Sequence, residues 1–291
     1  MLRGLYTAAS GMTTHQRRHD TITNNISNMN TPGYKSVTGV ARSFPEMLIN
    51  LMGDDKGAGK QIGRLNTGVF AEESRVSFLQ GDLMQTNQAG DFALLSDIQV
   101  PGMAFDASGK AVDDQGNVTY QPQAMFAVQD GEQIRYTRDG SFRLNEQHQL
   151  TTADGALVLN RNNTPIVLTG VAMSQLALDE QARLVNAETG ALVPNGALLV
   201  TRFDNPHELI REGNGRYRLE DGAQQGTPFN FTGVDGLQVQ VRQGYLERST
   251  VDPTQSMADM MSAFRAYEAN QKMVQFFDKT LEKTVNEIGR V

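Results

Sequence analysis

Asp252-Pro253-Thr254-Gln255 opens the stretch that decides the fold, and residues 256–288 continue it without a proline or a glycine. Asp252 is suited to cap a helix, Pro253 to sit in its first turn, and Gln255 to return a capping-box bond. Apolar residues then recur in steps of three and four: Met257, Met260, Phe264, Tyr267, Val274, Leu281, Val285 and Ile288. Gln271 and Asp278 interrupt the same stripe. The spacing predicts one helix of ~36 residues, roughly 54 Å long. A 3-4 spacing held over this length indicates coiled-coil-like packing. The helix is too long for a compact body of this size to cover along one side, so the stripe calls for a partner helix.

The other end is also helical. Met1, Leu5, Ala8, Met12, Ile22, Ile26 and Met29 share a stripe, with His15 and His19 in its middle. Ala8, Ala9, Ser10 and Gly11 permit close approach of another backbone. The segment stops at Asn30-Thr31-Pro32-Gly33-Tyr34, where Pro followed by Gly suits a type II turn with Gly33 at positive φ. Neither stripe buries itself, so each end should pack on the other or on further chains.

Between the ends the texture is β. Ser141–Leu144, Ala156–Leu159, Ala197–Val200 and Leu237–Val241 read as short strands, punctuated by Asp139-Gly140, Asp154-Gly155, Asp221-Gly222 and Asp235-Gly236. Residues 46–68, with the glycine-rich run 53–60, read as a loop. The expected fold class is α+β: long N- and C-terminal helices packing as a coiled-coil-like pair and flanking a mostly antiparallel β body. The expected divisions are 1–35 (helix and turn), 36–69 (connecting loop region), 70–250 (β-rich body) and 251–291 (C-terminal helix).

Several function classes lack support. A net charge of −7 does not suit a nucleic-acid binder, which needs a basic excess to replace counterions. No stretch approaches the ~18 apolar residues of a membrane span, so no membrane insertion is expected. The chain has no cysteine, hence no disulfide, thiolate metal site or cysteine nucleophile. Polar Thr13 to Arg18 arrive too early for a cleaved signal peptide. His15 and His19 have a metal-compatible spacing, but Gln16 stands where a metalloprotease places its general-base Glu. Asp113-Asp114-Gln115-Gly116-Asn117 lacks the alternating ligands and final Glu of a calcium loop, and reads as a turn. The four histidines form no triad pattern. The chain is expected to be no enzyme, with no cofactor and no metal.

Two independent end motifs carry a family resemblance. Leu5-Tyr6-Thr7-Ala8-Ala9-Ser10-Gly11-Met12, Asn24-Asn25-Ile26-Ser27-Asn28 and Asn30-Thr31-Pro32-Gly33-Tyr34-Lys35 resemble the N-terminal signature of the flagellar basal-body rod and hook family. Gly244-Tyr245-Leu246-Glu247, Val251-Asp252 and Arg265-Ala266-Tyr267-Glu268-Ala269-Asn270-Gln271-Lys272 resemble its C-terminal signature. Gln80-Gly81-Asp82-Leu83 with Thr86, and Tyr136 through Phe142, are similar to turns in the bodies of the FlgF and FlgG rod proteins. Phe44–Leu48 and Asn286–Arg290 look most like a rod protein of Gram-positive bacteria. Ser249-Thr250-Val251 departs from the family's usual Ser-Asn-Val, and the stretch from 95 to 124 is longer than the family pattern.

The resemblance implies a structural subunit of a tubular axial assembly, exported by the flagellar type III apparatus without a cleaved signal. Its partners would be copies of itself and other rod and hook proteins, with the terminal helices lining the tube and the β body facing outward. The assembly-interface residues expected on stripe and motif together are Leu5, Ala8, Met12, Asn24, Asn25, Ile26 and Asn30 to Tyr34 at one end. At the other end they are Met257, Met260, Phe264, Arg265, Tyr267, Glu268, Asn270, Val274, Leu281, Val285 and Ile288. A secreted β-rich binding protein or adhesin with helical ends fits the same layout without the motifs. Within the family, a distal-rod or hook subunit is the neighbouring reading.

Overall fold

The computed structural model describes residues 2–50, 61–100, 102–106, 109–113, 115–231 and 239–288. Met1, the run 53–60, Asp114, the Asp235-Gly236 turn, Leu237, Gly289 and Arg290 lie outside the described residues, as does the side chain of Ile288. The chain forms two compact units.

The helical unit comprises Met1–Ser27, Val37–Val76 and Asp252–Val291. Helix α1 spans Leu2–Ser27 and α2 spans Pro253–Lys283, continuing as a π turn over Thr284–Ile288. The start of α2 follows from its capping residue: Asp252 accepts from the backbone N–H groups of Thr254 and Gln255 at 2.8 and 3.2 Å. The two helices pack on each other in opposite directions. The Phe277 ring sits over Gly4, the Asn270 amide over Gly11, and the His19 ring 6.5 Å from Phe264. Small residues on α1 allow this approach. A Cβ at Gly4 would fall 2.5 Å from the ring of Phe277.

Residues 36–69, expected as a connecting loop, contain paired strands instead. Val37–Thr38 pairs with Arg75–Val76, Ala41–Ser43 with Val69–Ala71, and Met47–Asn50 with Gln61–Leu65, all antiparallel. These short segments hold β-branched and aromatic residues but alternate poorly, and most of 41–48 is exposed. Asn25 fastens the ribbon to α1. Its side chain donates to the Val37 carbonyl at 2.7 Å and accepts from the Val37 N–H at 3.0 Å.

The body comprises Asn28–Ser36 and Ser77–Val251. Its main sheet is antiparallel throughout, in the order Arg143–Leu144, Leu150–Thr151, Leu157–Val158, Gln123–Asp130, Gln133–Thr137, Arg216–Leu219, Leu209–Arg211. Val200–Phe203 joins the other half of the long strand Gln123–Asp130 and pairs in turn with Thr227–Pro228. A three-stranded sheet, Leu176–Leu178, Arg183–Asn186 and Leu192–Ala197, completes the core. That core contains Phe92, Leu94, Phe126, Phe142, Leu150, Ile166, Leu184 and Val239, all buried.

A ribbon of two strand pairs also belongs to the body. Phe92–Ser96 pairs with Val239–Gln243, and Leu83–Gln85 pairs with Tyr245–Glu247. Gly244 lies between the two pairs and exchanges backbone bonds with Thr86, Asn87 and Asp91. Asp139-Gly140, expected as a turn between strands, has another role. Gly140 accepts the Phe92 strand so closely that a Cβ would overlap the Phe92 carbonyl oxygen. Gly155, in contrast, takes the left-handed turn the sequence suggests, at φ +85° with open space around it.

This difference is measurable by urea denaturation of the full chain. Gly140→Ala is expected to cost about 3 kcal/mol, because backbone cannot yield as a side chain can. Gly155→Ala is expected to cost about 1–2 kcal/mol, the left-handed penalty alone. Equal midpoints for the two variants would show that the close approach at Gly140 is not what that glycine serves.

Candidate assembly interface

Asn28–Ser36 follows α1 and folds into the body. Thr31 and Tyr34 close successive turns by donating to the carbonyls of Asn28 and Thr31. Gly33, at φ +67°, then lies so close to Arg138 that a Cβ would stand 2.6 Å from that residue's carbonyl carbon. The Gly33 N–H donates to the Glu247 carbonyl at 2.8 Å, and the Thr250 N–H donates to the Tyr34 carbonyl at 3.0 Å. Tyr34 is buried, with the Arg211 guanidinium 4.0 Å above its ring.

Three ionised side chains meet beneath this crossing. Lys35 Nζ donates to Glu247 Oε1 at 2.6 Å and to the Leu79 carbonyl at 2.5 Å. Arg138 Nε lies 3.0 Å from Glu247 Oε2. The Arg138 fork also donates to the Ala124 carbonyl, Gln80 Oε1 and Ser96 Oγ. Gly81 N–H completes the Glu247 shell at 2.7 Å. The side chains of all three ions are almost wholly excluded from solvent.

Two cations share one anion, and the titration behaviour reflects it. Burial, together with the charge of Arg138, pulls the Lys35 amine down to about 8 against the opposing pull of Glu247. Burial would raise the Glu247 carboxyl, but the charges of Arg138 and Lys35, with hydrogen bonds from Lys35 and the Gly81 N–H, hold it below the ordinary carboxylate value. The segments that meet here are those that stood out as motifs: 30–35, 80–83, 136–142 and 244–247. What the motifs did not reveal is that their charged members form one cluster. Lys35 and Glu247 are 212 positions apart, beyond the reach of any local pattern.

The helices divide the expected interface residues between two rows. On α2, Met260, Ala263, Tyr267, Asn270, Val274, Phe277 and Leu281 are buried or half-buried. Met257, Met261, Phe264, Met273, Phe276 and Val285 are exposed, Phe264 at 51% and Phe276 at 62%. Arg265 is exposed and Glu268 half-buried. The expected stripe thus straddles both rows, with Met260, Tyr267, Val274 and Leu281 inward and Met257, Phe264 and Val285 outward. Ala263 and Phe277, inward and absent from the expected set, complete the covered row. On α1, Ala8 and Asn25 are buried, Leu5, Met12 and Ile26 half-buried, and Asn24 exposed. Asn30 is exposed, Thr31 and Pro32 are half-buried, and Gly33 and Tyr34 are buried in the body.

His15 and His19 do not converge with other ligand types. Among the described residues no group of three His, Asp or Glu side chains is placed to hold a metal ion. Burial and Arg18 lower the pKa of His15. No helix among the described residues is long and apolar enough to cross a membrane.

Comparison with known proteins agrees with the convergence of the motifs. Residues 5–35 match the flagella basal body rod protein family. Residues 121–182 match the flagellar hook protein FlgE/F/G D1 domain, and residues 242–287 the flagellar basal body rod FlgEFG protein C-terminal family. The chain is 35% identical to the flagellar hook-basal body complex protein FlhO of Bacillus subtilis (strain 168), over 100% of both chains.

The chain belongs to the flagellar rod and hook protein family.

It is also 30% identical to the flagellar basal-body rod protein FlgG of B. subtilis, covering 98% of this chain and 99% of that one. The FlgG of Borreliella burgdorferi is 30% identical, covering 97% of each chain. The protein is therefore a structural flagellar rod or hook subunit, a component of the basal body. The rod-protein match at 5–35 ends on Lys35, and the FlgEFG C-terminal match contains Glu247. The buried charge cluster thus joins the two end regions by which the family is defined.

The cluster sets a pH dependence for this subunit. Glu247 has a depressed folded pKa, so its stabilisation is fully present above the unfolded value of 4.5 and is lost as pH falls through the folded value. Lys35 has the opposite linkage to a lysine gaining a partner. Between about 8 and 10.5 the unfolded chain binds more protons, so stability rises with pH across that window. Glu247→Gln leaves two buried cations without a counter-charge and should cost about 3–5 kcal/mol at neutral pH. It should also flatten the acid limb of stability against pH. Lys35→Met keeps the Arg138–Glu247 pair, should cost about 1–3 kcal/mol, and should remove the alkaline rise. Unchanged acid and alkaline limbs in the two variants would refute the assignment.

Proposed function

We propose that α1 and α2 form the surface by which this rod or hook subunit joins its neighbours, with the inner row closing the helix pair and the outer row meeting other chains. The observation that supports this is the exposure of Met257, Met261 and Phe264 on one flank of α2, and of Met273 and Phe276 on another, around a helix already partnered on its inner row. Several large apolar side chains left exposed on one helix are a feature of association surfaces. The inner row recurs in steps of three and four, which favours coiled-coil-like packing of α1 and α2.

On this reading the partners are copies of the same chain and other rod and hook proteins, assembled into a tube. The body, 28–36 with 77–251, is a folding unit of its own, where the expected boundary was 70–250, and it includes the turn that supplies Lys35. The role is mechanical, with no catalytic residue. Passage through the flagellar type III export apparatus, without a cleaved signal, is consistent with the cysteine-free composition. A chain without thiols cannot cross-link in transit.

The two rows are separable by mutation. Phe264→Asp places a charge on a half-exposed position that meets α1 through the His19 ring, so the monomer should lose about 0.5–1.5 kcal/mol and stay folded. Self-association of the purified chain, followed by sedimentation, should be lost together with swimming in a complemented deletion strain. Leu281→Asp lies on the inner row and should both unfold the helix pair, read by hydrogen exchange, and abolish assembly. Normal motility and assembly of Phe264→Asp would remove the outer row from the interface.

A further inference from the structure

The two segments that lead from the body to the helices run side by side and in the same direction. Gly33 donates to Glu247, and Thr250 donates to Tyr34, so both chains advance together. Ser36 N–H then donates to Thr250 Oγ1 at 2.8 Å. A pull toward the chain ends draws residue 33 backward along its segment and residue 250 forward along its own. In parallel segments that is shear: the bonds between them are stretched together, where an antiparallel pair would open one bond at a time.

We propose that Lys35, Arg138 and Glu247 form a charge clamp that holds residues 33–36 against residues 247–250 when the two ends of the chain are pulled apart. The cluster has the properties this needs. The Lys35–Glu247 bond crosses directly from one segment to the other, and Arg138 ties Glu247 to the main sheet through the Ala124 carbonyl. Charge-assisted hydrogen bonds are short and directional, whereas apolar burial is non-directional and lets surfaces slide. The side chains are excluded from water, so no solvent molecule stands ready to replace a stretched bond. Gly33, seated on the Arg138 backbone, leaves no slack for the segment to shift. The clamp is a property of the body and does not depend on how the helices assemble.

The test is single-molecule force spectroscopy on the full chain. The protein has no cysteine, so handles attach only where one is introduced. Asn30→Cys with Pro253→Cys loads the clamp, and Glu132→Cys with Asp221→Cys loads the sheet along another axis. Glu247→Gln should lower the rupture force on the 30–253 axis about two-fold, the ratio of charge-assisted to neutral bonds, and leave the 132–221 axis unchanged. Lys35→Met, which retains the Arg138–Glu247 pair, runs in parallel in case Glu247→Gln does not fold, and should give a smaller loss on the 30–253 axis alone. The proposal is overturned if the 30–253 force is unchanged in the folded variants, or if both axes weaken equally.

Discussion

A carboxylate with two cations, all out of water, is a demanding arrangement. An ion left unpaired in such a place costs several kcal/mol, so Lys35 and Arg138 are tolerable there only with the Glu247 carboxylate between them. Each comes from a different part of the chain. The turn after α1 brings Lys35, the strand end at 136–138 brings Arg138, and the strand before α2 brings Glu247. The excess positive charge faces neutral acceptors: the Leu79 and Ala124 carbonyls, Gln80 Oε1 and Ser96 Oγ. The ribbon 83–85/245–247 and the close seat of Gly33 are what place these groups. Replacing the cluster by apolar residues of similar volume could leave stability intact, but would give up the directional fit between the segments.

The parts of this fold that were legible in the sequence are those governed by local chemistry. Asp252-Pro253 starts a helix because a carboxylate cap and a fixed φ act within one turn, and Gly33 takes a positive φ because the Pro-Gly turn asks for it. The body's β character was legible from its strand residues and turn glycines. Three features were not. Gly140 reads as a turn residue beside Asp139, yet it serves a close approach to a strand some fifty positions earlier. Residues 37–38, 41–43, 47–50 and 61–65 pair as strands without clean alternation, because the ribbon is exposed on much of its described length. The α2 stripe was drawn across two rows, since alternating steps of three and four pass from one row to its neighbour and spacing alone does not say which one a partner covers. Ala263 is too small to register as a core residue, and Phe277 is hidden behind its neighbour Phe276.

The end motifs had a different kind of legibility. Asn30 to Lys35 and Gly244 to Glu247 marked the family before any contact was known, but a motif does not state its physical reason. The structure supplies it: Gly33 has no room for a side chain, Tyr34 stacks under Arg211, and Lys35 reaches Glu247. Asn25 has a comparable role in the helical unit, binding both backbone groups of Val37. These are residues whose exchange for a similar type would still break a fitted contact, which accounts for their standing out as motif positions.

The sizes of the side chains on the two helices bear on how far one chain can satisfy itself. The α1 row that meets α2 contains Gly4, Ala8 and Gly11, so the backbones approach closely and Phe277 and Asn270 fill the space that larger residues would otherwise hold. A thin α1 covers a narrow strip. It shelters the inner row of α2 and leaves Met257, Met261 and Phe264 beside it in solvent, with Met273 and Phe276 further along. Each fully buried side chain of this kind contributes roughly 1.5–3 kcal/mol on leaving water. A wider α1, with leucine in place of its glycines, would hold the pair further apart and change the rows presented outward. The glycines therefore do two things at once: they close the pair inside one chain and determine which apolar side chains stay exposed.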